Sequence, residues 1–223
     1  MAAENFDWHA HITGLIARRN VTSEELKDAY SSWGKGYDES MVEDHNYKGP
    51  AVAAELFAQK LKEFGYSNDA HIVDLGCGTG LVGEQLWKHG YKNIDGVDLT
   101  PKFLELAKAK GIYGSLKQGI LGSPQCKELG IEENRYDAAI CVGVLSIAHA
   151  PREGLDDLAH VVKPGGLACC SIRDLALNDA ESGYQEKMEQ LCKDGKWKLV
   201  TKHYHPKYQL KEDGAWYFIY QIL

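Results

Sequence analysis

The sequence predicts an α/β fold with a doubly wound, mostly parallel sheet of seven strands, one of them antiparallel. From residue 71 onward, short apolar strands alternate with helices of about ten residues, a pattern typical of βαβ units. The strand YDAAICVGV is almost entirely apolar, as expected where both faces of a sheet are covered. The terminal strands WKLVTKHY and AWYFIYQIL are separated only by a loop, which predicts antiparallel pairing.

The first part of the chain is predicted to form a helical extension. Ser23 precedes EELKDAY, whose acidic first turn is typical of a helix start, and we expect that helix to end before Gly34. A polar loop with glycines follows, and Pro50 opens a second helix, PAVAAELFAQKLKEF, with a rough apolar stripe. We expect residues 1–49 to form an extension or lid and residues 50–223 to form one domain.

The alternation of strands and helices follows this second helix. The strand HIVDLG leads through a glycine turn into a helix over 81–89, and NIDGVDL leads into a helix over 102–110. A weak strand near 113–117, a long irregular stretch and the strand YDAAICVGV come next. A helix over 152–162, a KPGG turn, the strand LACCSIR and a helix over 181–192 precede the two terminal strands.

Composition and charge exclude several classes of function. The formal net charge is −7 and no Lys/Arg cluster forms a basic stripe, so neither nucleic acid nor an anionic membrane is an expected partner. The six cysteines lack zinc spacing, which predicts reduced thiols and no metal site. The N-terminal segment does not resemble a signal peptide, and no apolar run approaches the about 20 residues of a spanning helix. We expect a cytoplasmic monomer whose acidic lid disfavours anionic substrates.

A glycine-rich turn is the first candidate binding site. The segment HIVDLGCGTGLVGEQL places Gly76, Gly78 and Gly80 directly after a strand, where free backbone amides and a positive helix end favour an anionic group. The dinucleotide fingerprint needs a glycine one position later, where this chain has Leu81. The motif G-x-x-x-x-G-K-[ST] is absent. Neither phosphate-binding motif therefore fits.

Two carboxylates near the turn indicate a different ligand. Asp74 lies just before the turn and suits a cation. Asp98 ends the second strand and suits a ribose, because one carboxylate can accept hydrogen bonds from two hydroxyls. A ligand with a carboxylate, an ammonium and a ribose matches all three features. S-adenosylmethionine has these groups and a sulfonium centre.

Four segments in this order resemble the class I S-adenosylmethionine-dependent methyltransferases: VDLGCGTG, GVDLTPKFLELAKAKG, YDAAICVGVLS and VVKPGGLACCSIR. The segment YSSWGKGYDESMVEDHNYKGPAVAAELF, with KGIYGSL and KPGGLACC, is further similar to the Williams–Beuren syndrome region 27 group, the methyltransferase-like 27 proteins. The resemblance covers nearly all of the chain after residue 22. It implies a Rossmann-like methyltransferase fold, S-adenosylmethionine as cofactor, S-adenosylhomocysteine as product and methyl transfer as the activity.

The resemblance also implies which residues contact the cofactor. The glycine turn lies against the methionine part, Asp98 holds the ribose hydroxyls, and Leu99 lies beside the adenine. Ile120 stands where many relatives have an aspartate, so backbone groups of Ile120 or Leu121 are expected to replace that adenine contact. Tyr37 matches a lid tyrosine that touches the cofactor. The expected cofactor-binding set, drawn from the lid, the glycine turn and three strand ends, is Tyr37, Asp74, Gly76, Cys77, Gly78, Gly80, Leu81, Asp98, Leu99, Ile120, Leu121, Cys141, Val142 and Gly143.

Alternatives remain open for both carboxylates and for the proton acceptor. Asp74 can cap the turn, and Asp98 can cap the following helix, although Thr100 is the better cap. His149, after the fourth strand, and His45, in the lid, are candidate bases, since a neutral imidazole can take a proton from an acceptor. The sequence assigns the catalytic role to neither.

The identity of the methyl acceptor also stays open. We expect a small molecule, and a protein side chain is the second alternative. A protein that holds the cofactor with little turnover is a third. An NAD-dependent oxidoreductase is disfavoured by Leu81 and the early third glycine.

Overall fold

The computed structural model describes residues 6–209 and 214–223, which contain one seven-stranded sheet. The strands are β1 (Ile72–Leu75), β2 (Ile94–Asp98), β3 (Ser115–Gln118), β4 (Tyr136–Cys141), β5 (Val162–Arg173), β6 (Trp197–His205) and β7 (Ala215–Ile222). Their spatial order is β3-β2-β1-β4-β5-β7-β6. β7 pairs antiparallel with both of its neighbours, and the other neighbouring pairs are parallel. The predicted doubly wound sheet with one antiparallel strand is confirmed.

Helices cover both faces of this sheet and form the extension ahead of it. They are α1 (Trp8–Ala17), α2 (Ser23–Trp33), α3 (Gly36–Glu39), α4 (Gly49–Glu63), α5 (Leu81–Lys88), α6 (Pro101–Ala109), α7 (Gly154–Val161), α8 (Asp174–Leu177) and α9 (Tyr184–Lys193). A π-helical turn spans Ser40–Asp44 and a 3-10 turn spans Pro124–Leu129. The helices predicted after residue 80 are present, with ends that differ by up to three residues.

The extension contains more helix than the sequence predicts. α2 is capped by Thr22 instead of Ser23: the Thr22 hydroxyl accepts from the Glu25 amide at 3.2 Å, and the Glu25 carboxylate accepts from the Thr22 amide at 2.8 Å. α1 was not predicted individually, and the expected loop after Gly34 holds α3 and the π-helical turn. Such short helices depend on packing against neighbours more than on intrinsic propensity, so local sequence signals them poorly.

The core lies on both faces of the sheet. One face packs against α7 and α9, and the other packs against α4 and α5. Adjacent Cys169 and Cys170 contribute to opposite faces, as the two-residue period of a strand predicts. A third apolar cluster, formed by Ile12, Ala29, Trp33 and Met41, joins the elements of the extension.

The KPGG segment is a bulge and not a turn between elements. β5 starts at Val162, which pairs with Tyr136, and the next pairing joins Leu167 to Ala138. Residues 163–166 therefore form extra backbone within the strand, and Gly165 takes a φ of +87° that glycine adopts without a steric penalty. The strand then continues to Arg173, which lies at the same end of the sheet as the glycine turn.

The central strands create the place for a ligand. β1 lies between β2 and β4, and the chain leaves β1 toward β2 but later returns on its other side. Connections that diverge in this way open a crevice at the carboxyl ends of the strands. Within the described ranges, none of the helices combines the length and apolar composition needed to cross a membrane.

Replacement of Trp197 tests the contribution of the core near β6. Its side chain is 1% exposed and stacks on Tyr220 with ring centroids 4.0 Å apart. We expect Trp197→Ala to lower the free energy of unfolding by about 3–5 kcal/mol, because the lost burial leaves a cavity. Urea unfolding followed by circular dichroism measures this. Leu199→Ala, on the same strand but 48% exposed, is the control and should cost less than about 0.5 kcal/mol.

Candidate active site

A cavity of ≈ 180 Å³ opens at the carboxyl ends of β1, β2 and β4, under α2 and α3. We call it the front cavity. Most of the predicted cofactor-binding residues line it: Tyr37, Gly76, Cys77, Gly78, Leu81, Asp98, Leu99, Ile120, Leu121, Val142 and Gly143. Asp74, Gly80 and Cys141 do not line it and are buried behind its wall. The structure therefore brings together the ends of three strands and the extension around one space.

The glycine turn has positive backbone φ angles, which residues with a side chain rarely adopt. Gly76, Gly78 and Gly80 have φ values of +74°, +54° and +96°. A Cβ atom on Gly76 would lie only 2.2 Å from Cγ2 of Val144, so the two loops can approach only because this residue lacks a side chain. The glycines thus allow the positive φ angles of the turn, and Gly76 also allows the close approach of Val144.

Three amides of this turn are already used within the protein. The backbone N–H groups of Gly76 and Cys77 both donate to the Val97 carbonyl, at 2.7 and 2.9 Å. The Gly78 amide donates to Oδ2 of Asp98 at 2.8 Å. The expectation that the turn offers these amides to an anion is therefore wrong for the first three residues, because they fasten the turn to the end of β2.

Asp98 is placed to receive hydroxyl groups from a ligand. It is 9% exposed, lines the front cavity and accepts from the Gly78 and Thr100 amides, each at 2.8 Å. A carboxylate offers about four acceptor positions, so two are left after these bonds. Burial raises the pKa of Asp98, and the hydrogen bonds from Thr100 and Gly78 oppose that shift. Neither predicted capping role is seen: the Thr100 side chain makes no cap bond to α6, and Asp98 accepts from the Thr100 amide ahead of the helix.

Asp74 faces the protein interior and not the cavity. Its carboxylate is 0% exposed, and the Tyr113 hydroxyl donates to its Oδ2 at 2.7 Å. Burial raises the pKa of Asp74 to about 7, opposed by the bonds from Tyr113 and the Gly83 amide. A Cβ atom on Gly83 would lie 2.4 Å from the Tyr113 hydroxyl, so that glycine makes room for the tyrosine. Asp74 does not line the front cavity, and its other oxygen, Oδ1, makes no hydrogen bond within the described part of the chain. The predicted contact between this carboxylate and a ligand ammonium stays a prediction.

His149 lies in a hydrogen-bonded row at the cavity wall. Its Nε2 is 2.6 Å from the Tyr30 hydroxyl, and its Nδ1 is 2.6 Å from the Ser146 hydroxyl. Burial, with a smaller contribution from the Arg173 charge, lowers the pKa of His149 to about 4. The imidazole is therefore neutral at pH 7, with one ring nitrogen as donor and the other as acceptor. His45, the second candidate base, does not line this cavity and stacks on His9 with centroids 3.7 Å apart.

Aromatic side chains of the extension form the roof. Tyr37 packs edge-on against Trp33 and tilts against Phe103, with ring centroids 4.9 and 5.0 Å away. The Tyr47 hydroxyl is 2.9 Å from that of Tyr208. Aromatic groups bury large areas with few rotatable bonds, so this roof is well defined when closed.

Polar contacts attach the extension to the rest of the protein. Asp38 accepts from the Thr79 hydroxyl in the glycine turn and from the Lys110 ammonium, the latter at 2.7 Å. At the other end, the Arg19 guanidinium donates to Asp179 at 2.7 Å and to Glu181 at 2.6 Å. These pairs are partly exposed, so each contributes modestly and can be broken without unfolding the sheet.

A second space, the rear cavity, adjoins the first. It encloses ≈ 110 Å³ between the extension and the ends of β4 and β5. Tyr30, Tyr37, Tyr47, Gly143 and His149 line both cavities. The two spaces therefore share a wall, and His149 is part of it.

Comparison with known proteins identifies the family. A family model described as a methyltransferase domain matches residues 73–170. Human Methyltransferase-like protein 27 is 35% identical over 191 residues, which cover 84% of this chain and 73% of that protein. The chain belongs to the class I S-adenosylmethionine-dependent methyltransferases. The resemblance derived from its motifs is confirmed.

More distant relatives of this methyltransferase agree on the fold. The Ubiquinone biosynthesis O-methyltransferase of Coxiella burnetii is 31% identical over 99 residues, 43% of this chain and 40% of that protein. Among solved structures, the protein in complex with the Haloferax volcanii Trm112 methyltransferase activator superposes with a TM-score of 0.61. That alignment covers 86% of this chain and 97% of the other at 15% identity, so it concerns the fold alone.

The methyltransferase site fits the chemistry of S-adenosylmethionine. Asp98 has acceptor positions left for two hydroxyls, and Leu99, Ile120 and Leu121 provide an apolar edge beside it. Gly76 and Gly78 also line the cavity, next to Asp98, and residues without side chains allow a ligand to approach the backbone. Within residues 6–209 and 214–223, no cluster of His, Cys, Asp or Glu side chains is arranged to hold a metal ion.

Sequence reasoning missed several residues of the methyltransferase site. Tyr30, Ser146 and Phe103 are not in the expected set, although Tyr30 and Phe103 line the front cavity and Ser146 orients His149. Tyr30 follows buried Leu26 by four residues on α2, and this spacing could have placed it on the inward face of the helix. The pairing of Tyr30 with His149 has no comparable local signal.

Asp74→Asn tests the buried carboxyl group. The folded-state pKa of Asp74 lies above its ordinary value of 3.8, so this residue contributes stability at low pH that is lost as pH rises toward about 7. The asparagine carries no such charge. The free energy of unfolding of the variant, relative to the wild type, should therefore rise by roughly 2–4 kcal/mol between pH 4 and pH 8. Urea unfolding at several pH values measures this, and a constant difference would contradict the assignment.

Proposed function

We propose that this methyltransferase transfers the methyl group of S-adenosylmethionine to a small molecule enclosed beneath the extension. The observation that carries the proposal is the shared wall of the two cavities, where Tyr30, Tyr37, Tyr47, Gly143 and His149 line both. The front cavity has groups suited to the cofactor, which leaves the rear cavity for the acceptor. A concave, largely apolar space with a few polar groups is typical of small-ligand sites. A protein acceptor would need an open approach for its backbone.

The proposed cofactor contacts follow the lining of the front cavity. Asp98 holds the ribose hydroxyls, and Leu99, Ile120 and Leu121 border the adenine. The glycine turn with Cys77 and Leu81 borders the methionine part, and Val142, Gly143 and Tyr37 lie toward the transferred methyl group. Asp74, Gly80 and Cys141 support this arrangement from behind the wall. Each of these roles agrees with the position of the residue relative to the front cavity.

The chain's main contribution to the reaction is alignment and exclusion of water. S-adenosylmethionine supplies a methyl group on a sulfonium, which is already an activated leaving group. Two reactants held in line gain a large advantage over free encounter, and a closed roof of aromatic rings removes competing water. His149 is neutral and passes on the proton that the acceptor loses: its ring takes one proton from the Tyr30 hydroxyl at 2.6 Å and gives another to the Ser146 hydroxyl, so it stays neutral. Ser146 lines a surface recess, from which the proton leaves to water.

We also propose that residues 1–49 act as a lid that opens for exchange of cofactor and product. Their apolar cluster is separate from the two clusters on the sheet, and polar pairs attach them at Arg19 and Asp38. A segment with its own apolar cluster and a few polar attachments can move as one unit.

We place the enzyme in the cytoplasm as a monomer. Its six cysteines are free thiols, as is typical of a reducing compartment.

A labelled-methyl screen tests the acceptor class. The full chain is incubated with methyl-labelled S-adenosylmethionine and either a protein-free metabolite extract or a dialysed protein extract. We expect label in small molecules of the first mixture and none in protein of the second. Label confined to protein would overturn the small-molecule assignment, and no label in either mixture would favour a cofactor-binding role with little turnover.

Asp98→Ala tests the ribose contact. Loss of a charged acceptor should weaken S-adenosylhomocysteine binding by about 1–3 kcal/mol, measured by isothermal titration calorimetry. Asp95→Ala is the matched control, since Asp95 lies on the same strand, is 8% exposed and lines neither cavity. Asp95 accepts instead from Tyr136 and His71. Equal losses of affinity in the two variants would show that the effect is structural.

Asp38→Ala tests the lid. It removes the acceptor for Thr79 and Lys110, so the closed state should lose about 1 kcal/mol and S-adenosylhomocysteine should bind roughly fivefold more weakly. Amide hydrogen exchange in α2 should become faster in the same variant. Asp28→Ala, at an exposed position of α2, is the control and should change neither quantity. Unchanged affinity and exchange in Asp38→Ala would contradict the closing role of this contact.

A further inference from the structure

His149 lies where three spaces of the protein meet. It lines the front cavity, the rear cavity and the surface recess, which has a volume of ≈ 480 Å³. Residues of the lid border each of these spaces: Leu26 and Lys27 the front cavity, Ile12 and Ile16 the rear cavity, and Arg19 and Val21 the recess. Movement of the lid away from the sheet would therefore expose the imidazole to water on several sides.

A hydrogen bond joins His149 directly to the lid. Its Nε2 is 2.6 Å from the hydroxyl of Tyr30, which belongs to α2, and its Nδ1 is 2.6 Å from the hydroxyl of Ser146. Burial raises the pKa of Tyr30, Tyr37 and Tyr47, so the tyrosines of the lid near the imidazole keep their protons. The closed lid thus gives the imidazole a neutral partner at each ring nitrogen.

The charged side chains in the recess are paired with one another. Arg19 pairs with Asp179 and Glu181, and Arg152 pairs with Glu153. In the described part of the chain, none of these carboxylates makes a hydrogen bond to the imidazole. The recess therefore offers no close counter-charge to a protonated His149.

The charges in the two cavities do not favour an imidazolium either. In the front cavity, Lys27 pairs with Glu24, and Asp98 accepts from two backbone amides. His9 and Arg173 line the rear cavity. Arg173 has another partner within the protein, and its charge contributes less than burial to the lowered pKa of the imidazole. Because both hydroxyl partners can also accept hydrogen bonds from an imidazolium, lost hydration is the main opposition to the charged form.

Closing the lid over a charged imidazole is therefore unfavourable. Burial lowers the pKa of His149 to about 4 in the closed structure, from an ordinary value of 6.5. A group whose pKa falls on closing stabilises the closed form above its open-state pKa, and this stability is lost as the pH falls toward the closed-state pKa. Between about pH 7.5 and about pH 5.5, the ratio of closed to open lid should fall about tenfold.

We propose that protonation of His149 and closure of the lid exclude each other, so that mild acid opens the lid and weakens cofactor binding. This inference rests on the proposed lid and adds a condition for its closure. The closed lid places Tyr30 against a neutral imidazole, which is the form that can pass on the proton of the acceptor. Opening separates the two side chains, so the proton relay exists only while the reactants are enclosed.

Histidine NMR on the wild-type chain tests the coupling. Full-length protein labelled with carbon-13 in its histidines is titrated from about pH 8 to about pH 4.5, with and without saturating S-adenosylhomocysteine. The signal of His149 is the one that is missing in His149→Gln. We expect its titration midpoint to lie about one pH unit or more lower with the ligand, because linkage is reciprocal. A midpoint that the ligand does not change would overturn the proposal.

Calorimetry on two variants locates the effect. Between about pH 7.5 and about pH 5.5, the affinity of the wild type for S-adenosylhomocysteine should fall about threefold to tenfold more than that of His149→Gln. His160→Gln is the control, since His160 lies on α7 and lines none of the three spaces, and it should lose as much affinity as the wild type. Equal losses in the wild type and in a folded His149→Gln protein would assign the acid sensitivity to other groups, such as Asp74 or His9, and overturn the proposal.

Binding at about pH 7.5 separates this inference from the proposed function. If S-adenosylhomocysteine binds there without changing the midpoint of His149, the coupling is overturned and methyl transfer to a small molecule stays. If the ligand does not bind at that pH, the proposed function is overturned together with this inference. A lowered midpoint, with the excess loss of affinity absent in His149→Gln, would support both.

Discussion

The carboxylate of Asp98 joins the two turns on which the site is built. One oxygen accepts from the Gly78 amide in the turn after β1, and the other accepts from the Thr100 amide before α6. The Val97 carbonyl beside it accepts from two more amides of the glycine turn. Because these bonds are buried, breaking one leaves a polar group without water, which makes the arrangement rigid. The shape of the cavity, the backbone of the glycine turn and the position of the start of α6 all depend on these hydrogen bonds.

The extension covers the crevice at the carboxyl ends of the central strands. Strand ends alone would leave an open crevice, since the connections that follow β1 and β4 lead in opposite directions there. The aromatic roof closes this crevice, and Tyr30 reaches His149 across 119 positions of sequence. Polar pairs at Asp38 and Arg19 attach the roof at two places. This arrangement suits the proposed lid, which would exclude water during methyl transfer and open to release the product.

Burial keeps the interior of the site close to electrical neutrality. Asp74 and His149 lie in surroundings that disfavour their charged forms, so the pKa of the carboxyl is raised and that of the imidazole is lowered. The net negative charge of the whole chain, by contrast, lies mainly on exposed side chains.

The fold class, the glycine turn, the carboxylate at the end of β2 and the family can all be predicted from the sequence, because each depends on local patterns of spacing and polarity. Three features are visible only in the folded chain: the contact between Asp74 and Tyr113, the helices α1 and α3, and the hydrogen bond between Tyr30 and His149. These features depend on contacts between segments far apart in the chain, and local propensity is weak beside packing. The orientation of Arg173 into the rear cavity belongs to the same group, since it follows from where β5 ends relative to the extension.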